Sequence, residues 1–222
     1  MKLKNKIWEI QNNTKKAFTL AEVLITLGII GVVAALTIPV LYQKYQDMEF
    51  RTAAKKAFAV FAQAVDLAKQ DNGGNGLPSY YYTSGHYFKD AIKIKMNLGI
   101  DCTGANGDCS VNVNPPVTNI NGYTAYFYGD DGQFYTPDGV FWGFDIGSDF
   151  MYFDVNGLEN GPNRYGRDLY VIQMLNDKPL PMGAPSTTYP ASSYCVTGGS
   201  ASNTAGYGCL YYVLQNINYA TK

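Results

Sequence analysis

The sequence predicts an α+β protein: one long N-terminal α-helix, membrane-spanning in its first half and amphipathic in its second, packed on a small antiparallel β-sheet head. Three observations predict it. Residues 23–42 carry no formal charge, which gives the about 20 residues that a spanning helix needs. The stretch 42–70 then repeats apolar residues at steps of three and four, the period of a helix with one buried face. From residue 123 to 174 the pattern changes to short aromatic runs separated by DDG, PDG and GSD, which reads as strands and tight turns.

Taken in order, residues 1–17 form a basic leader with five lysines against Glu9. A basic start before an apolar segment orients the chain with its N-terminus in the cytoplasm and the remainder translocated. A helix is expected from Phe18 to about Gln70, roughly fifty residues and about 80 Å. It divides into a transmembrane or assembly segment, 18–41, and an amphipathic continuation, 42–70. In the continuation Phe50, Ala54, Ala57, Phe61, Val65 and Ala68 form one stripe, with Lys55, Lys56, Gln63 and Lys69 on the other face. DNGGNG (71–76) ends the helix, because Gly and Asn accept the left-handed backbone of a helix terminus. Residues 71–222 make the exported head.

Within the head, 77–122 reads as an irregular connector with one short helical candidate, 88–98. Strands are expected at 123–129, 133–136, 140–145, 150–155 and 168–174. Connections this short favour antiparallel pairing. Residues 210–219 read equally well as a strand or a short helix.

Composition narrows the function. Residues 71–222 hold seven basic and thirteen acidic side chains, so nucleic acid is not the expected partner, since phosphate binding needs a basic surface. The four cysteines all lie beyond the apolar segment, as suits an oxidising compartment. Four cysteines allow three connectivities; pairing of neighbours, Cys102 with Cys109 and Cys195 with Cys209, is the expectation. Zinc is the competing reading, but neither pair has metal-ligand spacing and the single histidine is His86. With that one histidine between Gly85 and Tyr87, no Ser-His-Asp or Cys-His arrangement is credible, and no carboxylate pair stands out among the turns. The chain is not expected to be an enzyme. The 19 Tyr and 11 Phe read as core and cross-strand pairs rather than as a sugar-binding platform.

The segment KKAFTLAEVLITLGIIGVVAALTIP, residues 15–39, resembles the processing and assembly signature of type IV pilins and type II secretion pseudopilins. In that family a prepilin peptidase cuts just before an aromatic residue, the new amino terminus is methylated, and a Glu four residues downstream serves assembly. The resemblance implies a cut between Ala17 and Phe18, with Glu22 at the matching offset and Pro39 where many members carry a helix-bending proline. The family usually has Gly before the cut; Ala17 is the next-smallest side chain. The apolar run follows the cut and stays in the mature protein, unlike a secretory signal. A carboxylate in hydrocarbon is costly, and its natural partner in a filament of packed helices is a neighbour's cationic N-terminus at Phe18. Gly28, Gly31, Ala34 and Ala35 add small residues that let apolar helices approach closely.

The resemblance implies a structural subunit of a type IV pilus-like or pseudopilus filament. Its partners would be other pilin or pseudopilin subunits, prepilin peptidase and an inner-membrane assembly platform. It would sit in the bacterial inner membrane with a single pass, and at the cell surface or in the periplasm once assembled. The alternatives are a minor pilin with a ligand- or surface-binding head, and a membrane-tethered binding domain that never assembles.

One head motif stands out, DVNGLENGPNRYGRD at 154–168. Oxygen ligands on a flexible loop suit calcium, with Asp154, Asn156 and Asp168 as the expected ligands. Major pseudopilins resemble this case in having a calcium-stabilised loop. The competing reading is turn chemistry: Asp and Asn form Asx-turns, Gly supplies positive φ, and Arg164 and Arg167 pair the acids. No cofactor is required; calcium is the one the sequence suggests.

Overall fold

The computed structural model describes residues 18–78, 81, 85–102, 109, 113, 115–127, 129, 131–198 and 202–219. The leader, and Ala17 with it, lies outside the described residues. The chain divides into two units, residues 1–45 and 46–222. Helix α1, Leu20–Asp71, begins in the first and ends in the second. It is helical through Pro39 without a break.

In the first unit the large apolar side chains from Leu20 to Tyr45 are 41% to 79% exposed. This helix is long and apolar enough to cross a membrane, and none of its most apolar window is buried. Thr26 and Thr37 return their hydroxyls to the carbonyls of Val23 and Val33, each at 2.9 Å, so the segment shows few free polar groups.

In the second unit α1 buries Phe50, Ala54, Ala57, Phe61, Ala64, Val65 and Ala68, the expected stripe with Ala64 added. The alanines let the helix lie close to a six-stranded antiparallel sheet of order β1-β2-β3-β4-β5-β6. The strands are β1 Ile100–Cys102, β2 Gly132–Tyr135, β3 Phe141–Asp145, β4 Phe150–Asp154, β5 Leu169–Leu175 and β6 Lys178–Pro181. Phe61 is the central knob. Its ring stacks on Trp142 with centroids 5.5 Å apart and lies 6.5 Å from Phe88 of helix α2, Gly85–Lys95.

The strands alternate between two apolar faces. Met151, Phe153, Tyr170, Ile172 and Met174 point to the helices, while Phe150, Tyr152, Leu169 and Val171 join Val117, Ala125, Tyr165, Met182 and Tyr207 on the other side. All five residues of β4 are buried, so its near-continuous apolar run reflects cover on both faces. The second cover is irregular chain, including Val117, Ala125, Met182 and Tyr207. The short helix α4, Cys209–Leu214, sends Leu210 and Val213 into the cluster on the α1 side, and its Cys209 joins Ala191 of α3, Ala191–Tyr194, in a separate small cluster. Disulfides join Cys102 to Cys109 and Cys195 to Cys209.

Three expectations change. In the expected strand 123–129, the described residues 123–127 and 129 do not join the sheet: Thr124 pairs with Thr118 in an isolated bridge, and Ala125 and Phe127 lie over the sheet as cover. The reason is Phe127, whose ring packs 5.3 Å from Phe141 and 5.2 Å from Tyr152. That ring occupies the space above Gly143, where an added Cβ would meet it at 2.3 Å. β1 and β6 are additional edge strands. β6 follows an Asn176–Asp177 turn in which both residues have positive φ, the geometry of a tight hairpin, and its prolines are tolerated at an edge. Finally, 210–219 resolves as the helix α4 followed by irregular chain.

Candidate functional site

The N-terminal site begins at Phe18, which is 86% exposed. Thr19 and Glu22 close a reciprocal cap on α1. The backbone N–H and hydroxyl of Thr19 donate to Glu22 Oε2 at 2.9 and 2.8 Å, and the Glu22 N–H donates back to Thr19 Oγ1 at 3.2 Å. This is the capping box of a Thr-x-x-Glu helix start. The Thr-x-x-Glu spacing is itself a sequence signal for this cap, additional to the offset of Glu22 from Phe18. Glu22 Oε1 takes part in none of these bonds. Along the helix beyond it, Ile25, Gly28, Ile29, Val32 and Val33 line a shallow apolar groove on the surface, with Gly28 leaving open space above its Cα.

The second candidate is the loop between β4 and β5. Asp154 and Asp168, at the strand ends, are both fully buried, as is Asn163. Asp154 Oδ1 accepts from the Asn156 N–H at 3.1 Å, an Asx-turn. Asp168 uses both oxygens on the backbone: Asn163 N–H donates to Oδ2 at 2.9 Å and Arg164 N–H to Oδ1 at 2.7 Å. Asn156 Nδ2 donates to Gly161 O at 2.7 Å, and Asn163 Nδ2 to Leu158 O at 2.8 Å. These bonds fix the side-chain oxygens opposite. Asp154 Oδ2, Asn156 Oδ1 and Asn163 Oδ1 are buried without a hydrogen-bond partner.

Burial pushes both carboxyls up: Asp154 well above its ordinary value, helped by the negative charge of Asp168, and Asp168 to about 6 despite its backbone donors. The arginines of the motif do not pair these acids. Arg167 reaches back to Asp47 on α1 at 2.9 Å, and the Arg164 guanidinium has no ion-pair partner among the described residues. No cluster of three or more His, Cys, Asp or Glu side chains able to hold a metal occurs among the described residues. The oxygens left open come from one carboxylate and two amides, a mixture that oxygen-seeking cations accept. Asn163 belongs to the same Gly-rich run of Asp, Asn and Glu as the expected ligands, and here its amide oxygen joins those of Asp154 and Asn156.

Residues 12–38 match a family model described as the prokaryotic N-terminal methylation motif. Over 123 residues the chain is 30% identical to Prepilin peptidase-dependent protein D of Escherichia coli (strain K12), covering 50% of this chain and 80% of that protein. No solved structure matches the chain.

Proposed function

Because the chain belongs to the type IV pilin-like and pseudopilin family, we propose that it is a structural subunit of a type IV pilus-like or type II secretion pseudopilus filament. In this reading prepilin peptidase cuts between Ala17 and Phe18, and the new N-terminus is methylated. The processed chain waits in the inner membrane as a single-pass protein with its head exported. An assembly platform then adds it to other subunits through residues 18–41, with Pro39 in the helix.

The observation that carries the reading is the helix surface from Leu20 to Tyr45, apolar and uncovered, with one carboxylate a single turn from Phe18. Lipid satisfies the apolar surface of a lone subunit, and the Thr19 cap gives Glu22 a local partner. That cap uses one oxygen. Packed against other helices, away from water, the remaining charge is costly unless a cation neutralises it. A neighbour's N-terminal amine at Phe18 supplies one, and only in one axial register. Cleavage therefore creates the partner that Glu22 needs.

Glu22→Gln separates the two roles, because Gln also closes a capping box but carries no charge. The expected result is normal cleavage and membrane insertion with loss of sheared or surface filaments. Wild-type filament yield from Glu22→Gln would show that assembly does not need the charge, and absence of filaments from the processed wild-type chain would favour the unassembled, tethered domain.

For the 154–168 loop the proposal is a single calcium ion held by Asp154 and Asn156, with Asp168 beside them closing the loop through backbone N–H groups. Support comes from the buried, unpartnered oxygens of Asp154 and Asn156. A cation there would neutralise two carboxyls that burial otherwise drives toward protonation.

A further inference from the structure

Asn is followed by Gly six times in this chain, at Asn72, Asn75, Asn106, Asn121, Asn156 and Asn160. Such a pair has a covalent chemistry of its own. The Gly backbone nitrogen attacks the side-chain carbonyl carbon of Asn, because Gly has no Cβ to hinder the approach. A C–N bond forms, the bond to Nδ2 breaks and ammonia leaves, which gives a five-membered succinimide. Water then opens the ring at either carbonyl. Asn becomes Asp or, with the main chain rerouted through the side chain, isoaspartate. One water is taken up and one ammonia released, with no oxidant or cofactor. In a folded chain two things hold the step back: a hydrogen bond on the attacking N–H, and one that pins the side-chain amide.

Asn106 lies outside the described residues. At three of the other sites both groups are tied. Asn72 Nδ2 donates to Gly76 O at 3.0 Å, and the Gly73 N–H to Gln70 O at 3.0 Å. Asn121 Oδ1 accepts from the Gly198 N–H at 2.9 Å, and the Gly122 N–H donates to Asn119 O at 2.9 Å. Asn156 Nδ2 donates to Gly161 O at 2.7 Å, and the Gly157 N–H donates to Asp154. Asn160 is tied once, its Nδ2 donating to Asn156 O at 2.6 Å. Asn75 differs from all four. It is exposed, and among the described residues neither its side chain nor the Gly76 N–H makes a hydrogen bond. Only its own N–H is used, donating to Asn72 O at 3.4 Å.

We propose that Asn75–Gly76 is a site of spontaneous deamidation on the head, and that the conversion loosens the stop of α1. The new carboxylate arises just past Asp71, the last residue of α1, at the negative end of the helix dipole. A third acid stands close by, since Asp177 Oδ2 is 2.5 Å from the Cβ position of Gly76. Isoaspartate also adds a carbon to the main chain, inside the turn that Asn72 Nδ2 closes on Gly76 O. Both changes act against the same few hydrogen bonds: the Gly73 N–H on Gln70 O and the Gly74 N–H on Lys69 O, at 3.0 and 2.9 Å. The site is separate from assembly through residues 18–41 and from the 154–168 loop.

The test incubates full-length, detergent-solubilised protein at neutral pH. Peptide mapping by mass spectrometry follows, at each Asn-Gly pair, the mass gain of NH₂ becoming OH. The same chain in denaturant supplies each site's unrestrained rate. A hydrogen bond that must open first slows the step by up to about tenfold. Asn75 is therefore expected to react in the folded protein at its denatured rate, and Asn160 to be slowed by up to about tenfold. Asn72, Asn121 and Asn156, tied twice, are slowed by up to about a hundredfold. Protection of Asn75 by about tenfold or more in the folded chain overturns the proposal. Asn75→Gln, which would have to close a six-membered ring, should remove the fastest conversion; its persistence in the variant places the reaction elsewhere and also overturns the proposal. The loosening is read as faster amide exchange at Gly73 and Gly74 in the isoaspartate fraction, and unchanged exchange there contradicts it.

Discussion

Helix α1 is one element with two kinds of surface, and comparing its halves explains what the molecule needs from outside. From Gln46 to Asp71 the helix buries a single stripe against its own sheet, with Phe61 wedged among Trp142, Phe144 and Phe88. From Val23 to Tyr42 it carries no charge on any side, and its large apolar side chains are uncovered. Buried apolar area stabilises a fold by roughly 25 cal/mol per Å², and the second half gains this within the chain. The first half gains it only from lipid or from other helices. The head is a folded unit in its own right, and the N-terminal half is apolar surface that the chain itself leaves uncovered.

The sharpest way to break this comparison is to damage each half alone. Phe61→Ala removes the knob of the covered half and should cost about 3–5 kcal/mol of head stability, seen as a large drop in thermal midpoint, while membrane insertion is unchanged. Val32→Arg in the uncovered half should leave the head's melting unaltered yet disfavour insertion by about 2.5–3.5 kcal/mol, measured as the fraction of chain integrated. If Val32→Arg instead lowered the head's melting temperature, the two surfaces would not be independent.

The head's own polar loop sharpens the contrast, since burial rather than lipid sets the state of its carboxyls. Burial raises Asp168 to about 6 from its ordinary 3.8 and raises Asp154 as well. The folded head therefore binds more protons than the unfolded chain above that ordinary value. Calcium-free stability from these groups is fully present at lower pH and is lost as pH rises through about 6. Calcium should remove that loss, adding about 2.7 kcal/mol at a hundredfold excess over its Kd. Thermal melts at pH 5 and pH 7, with calcium and with chelator, check it; Asp154→Asn should flatten the difference. Identical curves in calcium and chelator would remove the metal from the account.

The smallest expected effect is Thr19→Ala, which loses the capping hydroxyl and should cost about 1 kcal/mol at the helix start. Its signature is faster amide exchange at Ala21 and Glu22, with the head untouched.

Much of this was legible in the sequence because it was written in periodicity. The stripe through Phe50, Phe61 and Ala68 fixed which side of α1 is buried, and the aromatic runs of β2 to β5 marked the middle of the sheet. The edges were not legible. β1 is three residues long and ends in Cys102, and β6 contains Pro179 and Pro181, so neither carries the alternation that announces a strand. Residues 123–129 alternate like a strand, yet Phe127 serves the opposite face of the sheet, and only the absence of a side chain at Gly143 hinted at it. In the candidate sites, Glu22 was read from its offset and Asp154 from its motif. Which oxygens of Asp154, Asn156 and Asn163 stay unpartnered, and that Arg164 and Arg167 do not pair these acids, were not, because partnering is a property of packing and leaves no pattern in a single sequence.

The most direct test is the intact mass of the membrane-extracted protein, made with and without a co-expressed prepilin peptidase. The account predicts a product that begins at Phe18 and is heavier by one methyl group when the peptidase is present. A full-length chain despite active peptidase would contradict it, and the uncovered helix would then be a plain anchor for a tethered head.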